Sequence, residues 1–444
     1  MDGSSCHFFH PPADFPSLYI SRAQGIYLYT KEGKKILDAA SGAVVVNVGQ
    51  GREEIAKIAL DQLRTLNYIV PLWTSKPLED LVKKLAEWVP SKAYRFYFTT
   101  GGAEAVEAAF RFAFLYQAME NKPWKKNILS RFTSYHGITL GALSASGNRI
   151  RRKNLEHCLV DWPKIPPPYC YRCPWSKSYP SCGIACAQAL EDLLKTKAGE
   201  SIAGFIAEPI IGASGGAIVP VDEYWPKIAE ICKKHEILLI MDEVMTGFGR
   251  TGKRFAFEHW DIEPDIIVSA KGLSGGYSPM GMIAVKEELV RNCEKKAKNF
   301  MFYTYTSHPL GCAIATKILE LIDEEKLVER SSRIGAFLGD SLKKTLLNHP
   351  LVGDIRGKGL FWGVEIVRNK ETKEPFDPTE GSLSKVIKTA LDLGVFFYPC
   401  QGMADGFSGE ALLISPPLTV NEVQIATIVS VLKESLDLLQ QSLR

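Results

Sequence analysis

Apolar and polar positions change their period several times along the 444-residue chain, and the changes mark its organisation. Residues 17–50 alternate apolar and polar side chains around the Glu32-Gly33 turn, which predicts a short, strand-rich arm. From residue 52, stretches of helical period at 52–66, 76–88, 104–119, 186–197 and 222–235 alternate with compact apolar runs. Those runs lie at 94–99, 127–132, 203–207, 237–241, 265–269 and 281–285. Apolar runs of this length read as strands buried on both faces, and their alternation with helices predicts a mostly parallel sheet. A further helix is expected from about 310 to 324. Beyond it, amphipathic helices at 326–346 and 420–441 bracket the segments LFWGVEIV, GVFFYP and ALLISPP, which read as antiparallel strands. The expected fold class is α/β: an arm at 1–50, a large unit at 51–325 with a mostly parallel central sheet, and a smaller α+β unit at 326–444 that packs with the arm. There is no internal repeat.

Composition narrows the function. A hydrophobic content of 46% is ample for a large core, and a net charge of +3 offers no basic field for nucleic acid. The one basic cluster, Arg149, Arg151, Arg152 and Lys153, reads as a solvated loop. The N-terminal MDGSSCHFFHPPADFP lacks the basic-then-apolar order of a secretory leader, and no apolar run reaches the length of a membrane span. Ten scattered cysteines in a chain of this size are expected to be reduced thiols, in a cytoplasmic enzyme. Four of them, Cys170, Cys173, Cys182 and Cys186, fall in the Pro-rich stretch 161–185 and just after it, with CxxC and CxxxC pairs. Such pairs can hold zinc, but the gap between them is shorter than in common zinc ribbons, so no metal is expected.

Chemistry concentrates where apolar runs end. The run Ile237–Met241 leads into Asp242, and Ile266–Val268 leads shortly into Lys271. Open α/β sheets collect their reactive groups at the carboxyl ends of parallel strands. A lysine there can form a Schiff base with an aldehyde cofactor, and a carboxylate can keep a pyridine nitrogen protonated. In RFYFTTGGAEAVEAAF a strand meets Gly101 and Gly102, and a helix opens at Ala103, which exposes backbone N–H groups to an anion. Tyr135 and His136 follow another run, where a flat aromatic could stack on a cofactor ring. Glu208 ends a fourth run before Pro209 and could orient cofactor or substrate.

These segments also resemble a known family. DEVMTGFGRTGKRFAFEHWDIEPDIIVSAKGLSGGY is similar throughout to the signature of the class III (subgroup II) pyridoxal-phosphate aminotransferases, and to the ω-transaminases among them. The likeness extends to GIYLYTKEGKKILDAASG, the Gly-Gly turn, Tyr135-His136-Gly137, Glu208-Pro209 and YTYTSHPLGCAIA. The resemblance implies fold type I, pyridoxal 5'-phosphate as cofactor, and a homodimer with shared active sites. It makes Lys271 the Schiff-base lysine, Asp242 the partner of the pyridine nitrogen, and Val244 and Tyr135 the residues that flank the ring. It gives Gly102 and Ala103 to the phosphate through their N–H groups, and Thr304 to the phosphate of the neighbouring subunit. His136 and Glu208 are implied at the cofactor, and Val44, Ala213 and Leu413 in the substrate pocket.

Two departures from the family pattern shape the expectation. Ala103 stands where many members carry serine or threonine, which shifts weight to Thr99, Thr100 and the neighbouring subunit. Leu413 stands where members that use glutamate or 4-aminobutyrate often carry an arginine, so that carboxylate clamp is missing and Glu208 loses a partner. The expected reaction moves an amino group from an ω-amino acid or primary amine to a keto acid such as pyruvate. The alternatives are an aminomutase or racemase on the same scaffold, or a 4-aminobutyrate/2-oxoglutarate aminotransferase. Neither nucleic acid nor membrane is an expected partner.

Overall fold

Three sheets organise the chain in the computed structural model, which describes residues 17–91, 93–296 and 301–443. Strands β1 (Ile20–Gln24), β2 (Tyr27–Thr30) and β3 (Lys35–Asp38) form the antiparallel arm. The central sheet follows with β4 (Tyr94–Thr99), β5 (Asn127–Arg131), β6 (Lys164–Ile165), β7 (Ile202–Ala207), β8 (Leu238–Asp242), β9 (Ile266–Ser269) and β10 (Gly281–Lys286). Their order is β4-β10-β9-β8-β7-β5-β6. All neighbours are parallel except β10, which runs against both β4 and β9. Every residue of β7, β8 and β9 is buried, as strands covered on both faces must be.

The covering helices are α1 (Glu53–Thr65), α2 (Lys76–Trp88), α3 (Gly102–Met119), α4 (Ala185–Leu194), α5 (Tyr224–Lys234), α6 (Glu287–Lys296) and α7 (Pro309–Glu324). The inner face of α3 carries Ala105, Val106, Ala109 and Phe112. Its small side chains bring it close over Ile206, Ile240, Ile266, Val268 and Ile283 of the sheet. On the other face Phe205, Met241, Ile267 and Met282 pack with Trp225 and Phe248. No helix among the described residues is long and apolar enough to cross a membrane.

The remaining helices, α8 (Leu327–Leu346), α9 (Ser382–Asp392) and α10 (Glu422–Ser442), accompany the third sheet. Its strands are β11 (Val352–Lys358), β12 (Phe361–Ile366), β14 (Tyr398–Gln401) and β15 (Glu410–Ile414), in the order β11-β12-β15-β14. The segment GVFFYP, expected as one antiparallel strand, is split. Its first half, β13 (Val395–Phe396), pairs parallel with β3 of the arm, and its second half enters the antiparallel sheet as β14. Buried Phe397 marks the changeover.

One arginine ties these parts together. Arg250 is 0% exposed, and its guanidinium donates to the carbonyls of Leu360 and Pro416, to Ser41 Oγ and to Asn47 Oδ1. It thus joins the end of the arm, the loop after β8, the β11–β12 turn and the segment after β15. Burial lowers it to about 9, against the attraction of Asp38. Asp38 is itself raised by burial to about 6, and it accepts from the amides of Ala40 and Gly42. Replacing Arg250 with methionine leaves four buried acceptors without their donor and removes the positive charge that favours ionised Asp38. The expected loss is about 3 kcal/mol of unfolding free energy. It would be read as a lower denaturant midpoint at unchanged slope, and a midpoint equal to that of the native chain would show that the clamp contributes nothing.

Candidate active site

The carboxyl edge of the central sheet gathers the reactive groups. Asp242 is the last residue of β8 and lies opposite Val268 of β9. Lys271 follows β9 by two residues, Tyr135 and His136 follow β5, and Glu208 follows β7 directly. Together with Gly102, Ala103, Gly137, Ile138, Ile210, Val244, Met245 and Thr246 they line one cavity of 190 Å³.

Asp242 is 3% exposed, and both its oxygens are held. Oδ2 lies 2.7 Å from His136 Nδ1, and Oδ1 accepts from the amide of Val244 at 3.0 Å. His136 is fixed in turn, because its backbone N–H donates to Ser146 Oγ at 2.8 Å. An imidazole in hydrogen-bond contact fixes the direction of the carboxylate, while the ring's own Nε2 has no partner among the described residues. His136 was expected at the cofactor. It lines the cavity, and its contact is with Asp242.

Glu208 also finds its partner here. The partner expected to be missing is supplied by Arg131, the last residue of β5 and 0% exposed. Its guanidinium donates to the Glu208 carbonyl at 2.5 Å and lies 3.7 Å from the carboxylate. The amide of Tyr135 points at the other carboxylate oxygen, 3.4 Å away. Burial raises Glu208 to about 7 against the pull of His136 and Arg131, so this carboxyl changes charge near neutral pH. Arg131 was not anticipated, although an arginine closing the apolar run NILSR was a visible signal.

Lys271 sits in a left-handed backbone conformation, φ +43°, which costs a non-glycine residue on the order of 1–3 kcal/mol. Burial lowers its ammonium to about 8. Asp242 opposes that shift, and the positive charge of Arg151 adds to it. The side chain is thus available as a free amine near neutral pH, the form that attacks a carbonyl or accepts a proton.

At the opposite wall, α3 begins at Gly102 with no side chain capping its first amides. A methyl group at Gly102 would come within 3.1 Å of Val244 Cγ1, so the glycine permits the close approach of these two walls. The hydroxyls of Thr99 and Thr100, expected to help at an anion, are engaged elsewhere. Thr99 Oγ1 donates to the Gly101 carbonyl and Thr100 Oγ1 to Glu104.

Other expected residues lie away from the cavity. Thr304 is exposed in the turn before α7, where its carbonyl accepts from the Tyr68 hydroxyl at 3.1 Å. Val44, Ala213 and Leu413 are buried but do not line the cavity. Leu413 is 0% exposed within β15 and is enclosed by sheet packing. Val44 belongs to the tight turn Ser41–Val44, with φ +61°. Among the described residues no group of three or more His, Cys, Asp or Glu side chains is arranged to hold a metal ion. The nine described cysteines are free thiols.

Known proteins resemble this chain in sequence and in fold. Residues 9–436 match the family model of the class III aminotransferases. The chain is 35% identical over 439 residues to a putrescine–pyruvate aminotransferase of Pseudomonas aeruginosa, covering 97% of this chain and 94% of the relative. It superposes on a Bacillus anthracis aminotransferase with a TM-score of 0.91 at 36% identity, covering 97% of this chain and 95% of the other. A thermostable (S)-enantioselective ω-transaminase from Thermomicrobium roseum superposes with a TM-score of 0.91 at 34% identity, covering 98% and 96%. The parallel-rich sheet and the element order are those of fold type I. The match spans nearly the whole chain, and it makes this protein a member of the class III aminotransferases, a family of pyridoxal-phosphate enzymes.

Proposed function

We propose that the protein transfers an amino group from a primary amine or ω-amino acid to a keto acid such as pyruvate, with pyridoxal 5'-phosphate in the cavity described above. The observation that carries this is the meeting of Lys271, Asp242, His136 and Glu208 at one sheet edge. The Pseudomonas relative, named for putrescine and pyruvate, motivates the donor and acceptor classes. Leu413, enclosed in β15, supplies no charge for a distal carboxylate, which favours such donors over dicarboxylates.

The residues present fit the cofactor. The cavity offers a weakly basic amine, a fixed carboxylate, the uncapped amides of α3 and a flat aromatic. Its walls also carry two buried polar atoms, His136 Nε2 and Glu208 Oε2, without hydrogen-bond partners among the described residues. When bound, pyridoxal phosphate supplies an aldehyde that takes up the amino group and a ring that draws electrons from the carbon losing its proton. Lys271 would hold the aldehyde and, once displaced by the incoming amine, carry the proton at the reacting carbon. Asp242 would keep the ring nitrogen charged, and His136 holds Asp242 in line for that task. Gly102 and Ala103 would present their N–H groups to the phosphate, helped by the positive end of α3. Tyr135 and Val244 would enclose the ring.

A homodimer belongs to the same proposal. Ile138 lines the cavity yet is 62% exposed, and Phe302 and Tyr305, which flank Thr304, are also exposed. Apolar side chains left open beside a site fit a second copy that closes it. A cytoplasmic setting is proposed on the free cysteines.

The direct test is alanine formation from pyruvate with a primary amine. Lys271→Ala should bring it to background while circular dichroism is unchanged, and residual turnover above a few per cent would refute the role of the lysine. The same residue predicts a pH profile for cofactor uptake by the cofactor-free protein. Its ammonium is depressed to about 8, so the reactive amine accumulates as pH rises to that value and is complete above it. The rate of uptake, followed by cofactor absorbance, should climb through about pH 8 and then level. A rate still climbing at pH 10 would mean an ordinary lysine.

Mixed dimers test the shared site. A dimer of one Thr304→Ala chain and one Lys271→Ala chain holds a single lysine-bearing site, which receives an intact Thr304 only from its partner. That site should retain cofactor as the native enzyme does, whereas the Thr304→Ala homodimer should lose it more readily. Equal loss in both would place the role of Thr304 within its own chain.

A further inference from the structure

Lys271 keeps a backbone conformation that costs energy, so its surroundings must impose it. The turn Lys271–Leu273 opens the segment KGLSGG and is closed on itself. The amides of Ser274 and Gly275 both donate to the Lys271 carbonyl, at 3.2 and 2.9 Å. Those bonds shape the turn but do not set where it sits. The segment that follows the arm, residues 45–48, lies against it. A Cβ on Gly276 would come within 3.2 Å of Val45 Cγ1, and one on Gly275 within 3.6 Å of Val48 Cγ2. The approach is tightest at Gly272, where a Cβ would lie 2.5 Å from Asn47 Nδ2 and 3.1 Å from Phe248 Cβ.

Asn47 is 1% exposed, and both ends of its side chain are engaged. Nδ2 donates to the Phe248 carbonyl at 2.9 Å, and Oδ1 accepts from Arg250 at 2.8 Å. Its backbone carbonyl accepts from the Leu418 amide at 2.8 Å. An amide bonded at both ends cannot swing aside, so only a residue without a side chain can sit this close to it. Phe248 and Arg250 belong to the loop that starts at Asp242, and Gly272 belongs to the turn that starts at Lys271. One buried side chain therefore links the two loops that carry the acid and the amine. Asn47 does not itself line the cavity.

We propose that Asn47 is a positioning residue for the reactive amine: its side chain is a wedge beneath Gly272 that holds Lys271 in its left-handed conformation and at a fixed separation from Asp242. The proposal rests on the reading of Lys271 given above. Burial is the largest influence on the Lys271 ammonium and lowers it to about 8. Asp242 and Glu208 favour its charge, while Arg151, which lies over the Tyr135 ring, and Arg250 oppose it. Without the wedge the backbone of Lys271 relaxes and the amine loses its enclosure. Its ammonium then regains water and moves up toward the ordinary lysine value of 10.5. At a pH below both values, each unit of that rise leaves about tenfold less free amine. Arg250 keeps its other three acceptors when Asn47 is shortened, so the clamp around it remains.

Uptake of pyridoxal phosphate by the full-length, cofactor-free chain, followed by absorbance across pH, reads the amine without turnover. The native midpoint should fall at about pH 8. Asn47→Ala should raise it by about one unit or more and slow uptake at pH 7.5 about tenfold; Asn47→Ser takes its place where alanine gives no folded chain. Gly272→Ala, which forces the amide and the turn apart, should slow uptake as well. The double variant, in which the added methyl fills space left by the amide, should recover part of the loss. Ser331→Ala removes a hydroxyl that donates to the Arg250 carbonyl at 3.0 Å, elsewhere in the same frame. It should lower the denaturant midpoint and leave the pH midpoint at about 8. An unshifted midpoint in the Asn47 variant, strictly additive losses in the double variant, or an equal shift in Ser331→Ala would overturn the proposal. A native chain that takes up no cofactor, or a Lys271→Ala chain that takes it up as fast, would instead overturn the reading of Lys271, and the proposal with it.

Discussion

The enclosure of charge at the carboxyl edge of the central sheet is the constraint on which the rest of the structure depends. Two carboxylates, Asp242 and Glu208, are almost fully removed from water beside a lysine, and each must be matched by a partner inside the protein. Asp242 is matched by His136 and the Val244 amide, Glu208 by Arg131 and the Tyr135 amide. All these partners come from the ends of β5 and β8, so the strand order is what lets the charges be buried at all. The same burial sets the chemistry, because it brings Glu208 to about 7 and Lys271 to about 8, where proton exchange at neutral pH is possible.

The frame around this edge is stiff where the chemistry needs it. Arg250 locks the arm to the loop after β8 and to the segments around β12 and β15, and the left-handed conformation of Lys271 is tolerated only within such a frame. The loop after β5 is equally constrained. Ser134 and Ser146 fix Tyr135 and His136 from the backbone side, and the pinned turn at Gly147 carries Arg151 over the ring of Tyr135. Cavity wall and proton-handling groups are thus parts of one connected network.

The central sheet was legible because β7, β8 and β9 are buried on both faces and leave continuous apolar runs in the sequence. Asp242 and Lys271 stood out as the ionisable residues closing two of them. Strand β11 was not legible, since its sequence VGDIRGK is half exposed and leaves no apolar run. Helix α9 does show helical spacing at Leu383, Val386, Ile387, Ala390 and Leu391, but it lies among the segments read as strands. The split of GVFFYP between two sheets is a tertiary outcome, for nothing in six apolar residues says where they change partners. At the site, the pairing of His136 with Asp242 joins residues 106 positions apart, and no local pattern announces it. The basic cluster at 149–153 read as solvent-facing because charge alone does not show which of three arginines turns inward.

The central claim is that this cavity carries out a complete amino-group exchange in two halves, and a single-turnover measurement tests it most directly. Cofactor-loaded enzyme is mixed with excess amine donor and no keto acid, and the carbonyl product is counted. The account predicts one equivalent of carbonyl product per Lys271 and then arrest, followed by one equivalent of alanine when pyruvate is added. Continued product formation without pyruvate, or an isomerised donor in place of the carbonyl product, would contradict it.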